Sequence, residues 1–237
     1  MKYRLFAFGL FVSACFFGCG GAATRNAATS ENNATASQAP VAPSRQNQPK
    51  IVAFGDSLTA GYGLKPSESY PSILQQKLDA DGYKYEVVNA GVSGDTSAGG
   101  LRRIDWSLES GDVRFVILEL GANDFLRGQP VAETRKNLAQ IIERAKARGA
   151  QVLLAGMYTT TNAGREYQKE IQDGFDSLAR QEGVTLIPFF LEGVAGIESL
   201  NQDDRIHPNA EGTRLVADTV YKYLKPLLDK QGSETKK

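Results

Sequence analysis

From Lys50 onward the sequence predicts an α/β domain, a three-layer α/β/α sandwich on a five-stranded parallel sheet. Three observations carry this reading. Short apolar runs alternate with segments of helical periodicity, the pattern of repeated strand–helix units. The runs are almost continuously apolar, as strands covered on both faces require. The stretch from Lys50 to Leu228 accommodates five such units, and no internal repeat divides it.

The elements follow in chain order. Ile51-Val52-Ala53-Phe54 is an unbroken apolar run and reads as the first strand. Tyr70, Ile73, Leu74 and Leu78 then share one helical face. Tyr85–Val88 is the second strand, and Thr96–Trp106 reads as a helix. Phe115-Val116-Ile117-Leu118 is the most strongly apolar strand. Val131, Leu138, Ile141, Ile142 and Ala145 mark a helix that stops at Gly149. Gln151–Ala155 is the fourth strand, Tyr167, Ile171, Phe175 and Leu178 mark the next helix, and Val184–Ile187 is the fifth strand. The last helix begins after Pro208-Asn209 and is expected to bury Leu215, Val216, Val220, Tyr223, Leu224 and Leu227.

The amino terminus has a different character. Met1-Lys2-Tyr3-Arg4 is positively charged and Leu5–Gly18 is almost wholly apolar. That run falls short of the about 20 residues a spanning helix needs, so residues 1–19 read as an export signal. Val12-Ser13-Ala14-Cys15 resembles the bacterial lipobox, whose cysteine is lipidated. Phe16-Phe17-Gly18-Cys19 matches less well but precedes a better linker. The expected lipidation site is Cys15 or Cys19, and ordinary cleavage near Gly21-Ala22-Ala23 is the plainer alternative. One diacyl-modified cysteine supplies the two chains that stable anchoring takes. The expected location is the bacterial cell envelope, on a membrane anchor facing the periplasm. Residues 20–49 are rich in Ala, Thr, Asn, Ser, Gln and Pro and read as a disordered linker, with the folded domain at 50–230 and a disordered tail at 231–237.

Composition bounds the chemistry. The chain is 41% apolar and 23% charged with zero net charge, so it has no basic stripe for nucleic acid. No cysteine follows Cys19 and histidine occurs once, which excludes disulfides and thiolate or His-rich metal sites from the folded domain. No metal, no cofactor and no partner chain are expected, and the domain is expected to be a monomer.

In open α/β sheets ligands bind beyond the carboxyl ends of the strands, and the unusual polar residues fall there. Ser57 follows the first strand in Gly55-Asp56-Ser57-Leu58, Gly94 the second in Gly91-Val92-Ser93-Gly94-Asp95-Thr96, and Asn123 the third in Gly121-Ala122-Asn123-Asp124. Asp204 and His207 lie between the fifth strand and the final helix. The fold therefore gathers five separated positions on one rim. His207 is the side chain suited to exchange a proton near neutral pH. A serine hydroxyl is a weak nucleophile until such a base takes its proton; taken alone, Ser57 reads sooner as a helix cap. Asp204, three residues before His207, or Asp203, four before, can reach the second ring nitrogen, and spacing leaves both open. The Ser57 and Gly94 N–H groups and the Asn123 amide make three donors for a developing anion, although Gly and Asn alone are common turn residues.

Jointly these residues resemble the SGNH hydrolase superfamily, the GDSL esterases and lipases. The match comprises Gly55-Asp56-Ser57-Leu58, Gly94, Gly121-x-Asn123-Asp124 and Asp204-x-x-His207. Ser93-Gly94-Asp95-Thr96-Ser97, Leu118-Glu119-Leu120-Gly121, Leu126-Arg127-Gly128, Ile187-Pro188-Phe189-Phe190 and Asp203–Asn209 resemble its bacterial periplasmic thioesterase, arylesterase and lysophospholipase branch. The resemblance implies a flavodoxin-like sandwich with Ser57 as nucleophile, His207 as base and Asp204 as orienting acid. It implies Gly94 and Asn123 as oxyanion donors beside the Ser57 N–H, and metal-free hydrolysis of a small acyl ester or lysolipid through an acyl-serine. The serine lacks the Gly-x-Ser-x-Gly setting of an α/β-hydrolase. Within Met157–Tyr167, Thr159-Thr160-Thr161 make the segment more polar where the branch usually carries a proline-containing apolar loop, so long-chain acyl specificity is not carried over from the resemblance. A carbohydrate O-deacetylase of the same superfamily and a tethered binding protein without turnover are the alternatives.

Overall fold

A computed structural model of the protein describes residues 45, 47–109, 111–158 and 164–234. The predicted export signal with Cys15 and Cys19, most of the predicted linker, the three threonines at 159–161 and the last three residues lie outside the described residues.

The strands are β1 (Lys50–Gly55), β2 (Glu86–Gly91), β3 (Val113–Glu119), β4 (Gln151–Ala155) and β5 (Thr185–Ile187). All pair in parallel, in the order β2-β1-β3-β4-β5. The helices are α1 (Ser57–Ala60), α2 (Tyr70–Ala80), α3 (Ser97–Leu108), α4 (Ala122–Leu126), α5 (Val131–Ala147), α6 (Arg165–Glu182) and α7 (Ala210–Glu234). The chain leaves β1 for one edge of the sheet, then crosses back to place β3 on the other side of β1. The loops after β1 and β3 therefore diverge, and the crevice between them is the fold's natural ligand site.

Burial explains the unbroken apolar runs. Ile51 to Phe54 of β1 and Phe115 to Leu118 of β3 are wholly buried, so neither face of the central strands meets water. One helical layer pairs α2 with α7, and α3, α5 and α6 pack in a row to form the other. The apolar faces of α5 and α6 bury Leu138, Ile141, Ile142, Ile171, Phe175 and Leu178 as their spacing predicts. Thr96 caps α3, its hydroxyl accepting from the Gly99 N–H at 3.2 Å.

Three expectations change. In α7 the buried stripe is Val216, Val220, Leu224 and Leu228, whereas Leu215 is exposed and Tyr223 and Leu227 are half-buried. Leu215 stands about 100° around the helix from Val216, off the stripe that the four-residue spacing defines. The helix also passes through Pro226, giving up one internal hydrogen bond, and runs to Glu234, four residues into the predicted tail. There the Tyr85 hydroxyl donates to Gln231 Oε1 at 3.1 Å. At the other end, the last residues of the predicted linker dock on the domain. Arg45 donates to Asp79 on α2 at 2.5 Å, and the Pro49 carbonyl accepts from the Glu86 N–H at 3.0 Å, extending the β1–β2 ladder.

The end of β2 presses on α1. A Cβ added to Gly91 would sit 2.2 Å from the Ala60 nitrogen and 2.7 Å from its Cα, both backbone atoms. Gly91→Ala should therefore displace α1 and destabilise the domain by about 1–3 kcal/mol. Urea unfolding would read this as a lower midpoint at unchanged slope, and a wild-type midpoint would show that α1 yields freely.

Candidate active site

Ser57 opens α1 directly after β1. Asp56, one residue earlier, is the helix cap, its Oδ1 accepting from the Leu58 N–H at 3.0 Å. Capping therefore falls to Asp56 and leaves the Ser57 hydroxyl free. Ser57 Oγ lies 2.8 Å from His207 Nε2, across 150 residues of sequence.

His207 Nδ1 lies 2.6 Å from Asp204 Oδ2. The other oxygen of Asp204 accepts the N–H groups of Ile206 at 2.9 Å and His207 at 3.0 Å. This tight turn brings residues three apart face to face, and it puts Arg205 at a φ of 59°, the one positive φ outside glycine among the described residues. Asp203 has no hydrogen bond to the imidazole among the described residues, so the two candidate acids separate in favour of Asp204. Desolvation raises the Asp204 pKa, but the two N–H donors and the imidazole outweigh it and hold the carboxyl at about 2. An ionised carboxylate only accepts, so Nδ1 carries the proton, and Nε2 is left as an acceptor for the Ser57 hydroxyl.

Gly94 and Asn123 line the same cleft as Ser57 and His207, about 210 Å³ in volume. Gly94 has a φ of 80°, a conformation that glycine adopts without strain. Asn123 lies on α4, which begins two residues after the end of β3 is left behind. Its Nδ2 donates to Asp56 Oδ2 at 2.9 Å. One amide hydrogen is thereby spent on orientation and the second remains for a ligand. Four of the five predicted site residues line this cleft, and Asp204 joins them through its contact with His207.

Three ties set the loops against each other, and the sequence reading assigned none of them. Asp56 joins the β1 loop to Asn123. Asp124, buried, accepts the Ser97 N–H at 2.8 Å and the Ser97 hydroxyl at 2.6 Å, joining the β3 loop to the start of α3. Arg103 donates to the carbonyls of Gly55 at 2.8 Å and Ala90 at 2.7 Å and to Asp95 at 2.7 Å, joining the Gly94 turn to the end of β1. Asp56, Asp124 and Asp95 all sit inside motifs already singled out, so their positions were visible and their roles were not.

Beneath the Ser57 turn, Glu119 is completely buried. Its Oε2 accepts from the Asp56 N–H at 3.2 Å and the Thr59 hydroxyl at 2.7 Å, while Oε1 has no hydrogen-bond partner. Burial, reinforced by the Asp56 charge, pushes Glu119 well above the usual carboxylate range. Burial likewise raises Asp56 from 3.8 to about 6, against the pull of Leu58, Asn123, His207 and Glu119.

An apolar groove of about 480 Å³ continues from the cleft past Leu58, Leu126 and Ile206. Tyr158 and Phe189 stack within it, 4.2 Å apart and nearly parallel. A comparable depression of about 530 Å³ between α5 and α6 is lined by mixed charges from Glu166, Lys169, Glu170 and Asp173 and lies away from this chemistry. Among the described residues no group of three or more His, Cys, Asp or Glu side chains could hold a metal ion.

The raised carboxyls give a pH dependence of known sign. A folded state that binds protons more tightly than the unfolded chain is stabilised at low pH. The Asp56 contribution is complete below 3.8 and is lost as pH rises through about 6, and that of Glu119 falls in the same direction. Glu119→Gln keeps the neutral form at every pH, so its melting temperature should fall less than the wild type's across this interval. Equal slopes in thermal unfolding scans would show that Glu119 does not hold a proton.

The model of the GDSL-like lipase/acylhydrolase family matches residues 53–215. Esterase TesA of Pseudomonas aeruginosa is 42% identical over 178 residues, 75% of this chain and 89% of that protein. Thioesterase 1/protease 1/lysophospholipase L1 of Escherichia coli is 39% identical over 179 residues, 76% of this chain and 85% of that protein. The crystal structure of TesA superposes with a TM-score of 0.73 at 42% identity, covering 75% of this chain and 99% of its own. The psychrotrophic esterase EstA of Pseudoalteromonas sp., inhibited by monoethylphosphonate, superposes with a TM-score of 0.72 at 37% identity, covering 76% and 98%. By sequence over most of its folded length, and by the fold it shares with solved relatives, the chain belongs to the GDSL-like lipase/acylhydrolase family.

Proposed function

We propose that the protein is a serine esterase that hydrolyses carboxylic esters or thioesters through an acyl-serine. The observation that carries this is the unbroken relay from Ser57 Oγ through His207 to Asp204, opening on a cleft of oriented donors. Ser57 Oγ attacks the carbonyl carbon while its proton passes to His207 Nε2. The displaced electron pair settles on the carbonyl oxygen, facing the Ser57 N–H, the Gly94 N–H and the free Asn123 amide hydrogen. Collapse of the intermediate breaks the bond to the leaving group, which takes the proton from His207. Water then attacks the acyl-serine, giving its proton to His207, and release of the acid returns that proton to Ser57. Asp204 stays ionised throughout and stabilises the imidazolium.

The apolar groove takes the acyl chain, which favours small acyl esters or lysolipids over the acetyl groups of a carbohydrate O-deacetylase. The relay speaks against a binding protein without turnover. Lipidation at Cys15 or Cys19 and the linker that follows would hold the domain at a bacterial envelope membrane, facing the periplasm. The linker joins at Lys50, the amino end of β1, while the cleft lies beyond the carboxyl ends of the strands. Among the described residues no helix is long and apolar enough to cross a membrane.

Hydrolysis of p-nitrophenyl butyrate should survive EDTA. Ser57→Ala and His207→Ala should each lower kcat by about 10⁶-fold, Asp204→Ala by less, and Asn123→Ala by about 10²–10³-fold. A phosphonate ester should leave one covalent adduct on Ser57, read by peptide mass spectrometry. Turnover by Ser57→Ala near the wild-type rate would remove the mechanism. Metabolic labelling with a fatty-acid analogue should mark the wild type and be lost in Cys15→Ala or in Cys19→Ala. An unlabelled wild type would return the signal to the ordinary kind.

A further inference from the structure

We infer that Tyr62 selects the leaving group, its ring forming the wall against which a flat aromatic alcohol or thiol of the substrate stacks. The assignment rests on the esterase reading and gives that site a direction.

Tyr62 is a large aromatic residue left 54% exposed. Half-exposed, its ring gains little from folding, yet its backbone is fixed from several sides. Its N–H donates to the Ser57 carbonyl at 3.0 Å, and its carbonyl accepts from Gln202 Nε2 at 2.8 Å. Gly61 and Gly63 flank it at φ values of 79° and 74°. The φ at Gly63 favours glycine, and a Cβ there would come 2.1 Å from Gln202 Oε1 and displace the end of that side chain. The same Gln202 Nε2 donates to the Pro208 carbonyl at 3.0 Å, and the Gln202 N–H donates to the His207 carbonyl at 2.8 Å. One residue thus sets the Tyr62 loop against the loop that carries the imidazole. The two rings lie 4.8 Å apart between centroids, tilted by 42°.

Direction follows from the chemistry. The leaving atom receives its proton from His207, so the leaving group must lie on the imidazole side of the reacting carbon. The oxyanion faces Gly94 and Asn123. The acyl chain takes the remaining direction, along the groove past Leu58, Leu126 and Ile206. Tyr62 and Ser93 line the cleft and take no part in lining that groove. A flat ring bonded to the leaving atom would meet the free part of the Tyr62 ring in an offset or edge contact.

The test uses four esters and the full-length protein. Benzyl and cyclohexylmethyl butyrate share an acyl chain and differ in whether the leaving group has a π-face. Ethyl phenylacetate and ethyl cyclohexylacetate place the same contrast on the acyl side. In Tyr62→Leu the benzyl to cyclohexylmethyl ratio of kcat/KM should fall about two- to ten-fold, while the acyl-side ratio holds. Tyr62→Phe should keep both ratios. Each ratio is internal to one variant, so a smaller folded fraction cannot mimic the result. An unmoved leaving-group ratio in an active Tyr62→Leu, or an equal change in both ratios, would overturn the assignment alone. A wild type inactive on all four esters would overturn the esterase reading and the assignment with it.

Discussion

The carboxylate of Asp56 is the contact on which the rest of the site depends. One oxygen caps α1 and so decides that Ser57 points outward; the other holds the Asn123 amide. The Ser57 turn and the Asn123 amide, on different loops, are thereby aligned by one rigid planar group. Transition-state stabilisation needs donors held within a few tenths of an ångström before the charge appears. The diverging loops at a switch point would not supply that alone. Asp124 and Arg103 close the remaining two sides, so the loops after β1, β2 and β3 brace one another in a ring.

The brace has a cost in buried charge. Asp56 and Glu119 sit side by side below the Ser57 turn, and two carboxylates there cannot both ionise without strong repulsion. Glu119 makes its contacts as a hydrogen-bond acceptor to the Asp56 N–H and Thr59, which its neutral form still permits through the carbonyl oxygen. The charge that remains on Asp56 is the one that orients Asn123. A polar network of this kind is rigid because each group has few alternatives in a medium of low dielectric. It gives the cleft a fixed floor, against which Tyr62 and the apolar groove are free to set specificity.

Much of this was legible in the residues. Unbroken apolar runs gave the parallel sheet, and helical spacing gave α2, α5 and α6 almost residue by residue. The solitary His207 with Ser57, Gly94 and Asn123 at successive strand ends marked the rim. The misses share a cause. Four residues of α1 and five of α4 are too few for a helical period to show. Leu215 is apolar but stands beside the buried stripe of α7, and the end of that helix is ordered by Tyr85, a residue far away in sequence.

The residues limited the kinds of chemistry available. They left one imidazole, no thiol beyond Cys19 and a serine at a strand end, because composition and local period are properties of the chain alone. Which aspartate meets the His207 ring was set by the folded backbone, since Asp203 and Asp204 differ by a single position and the turn with Arg205 at positive φ chooses between them. The tertiary structure likewise decided that Asp56, Asp124, Arg103 and Gln202 hold the site together. Those side-chain contacts join residues from 6 to 140 positions apart. Hydrogen bonding of that reach depends on where the folded backbone places each group, which no local pattern in the sequence encodes.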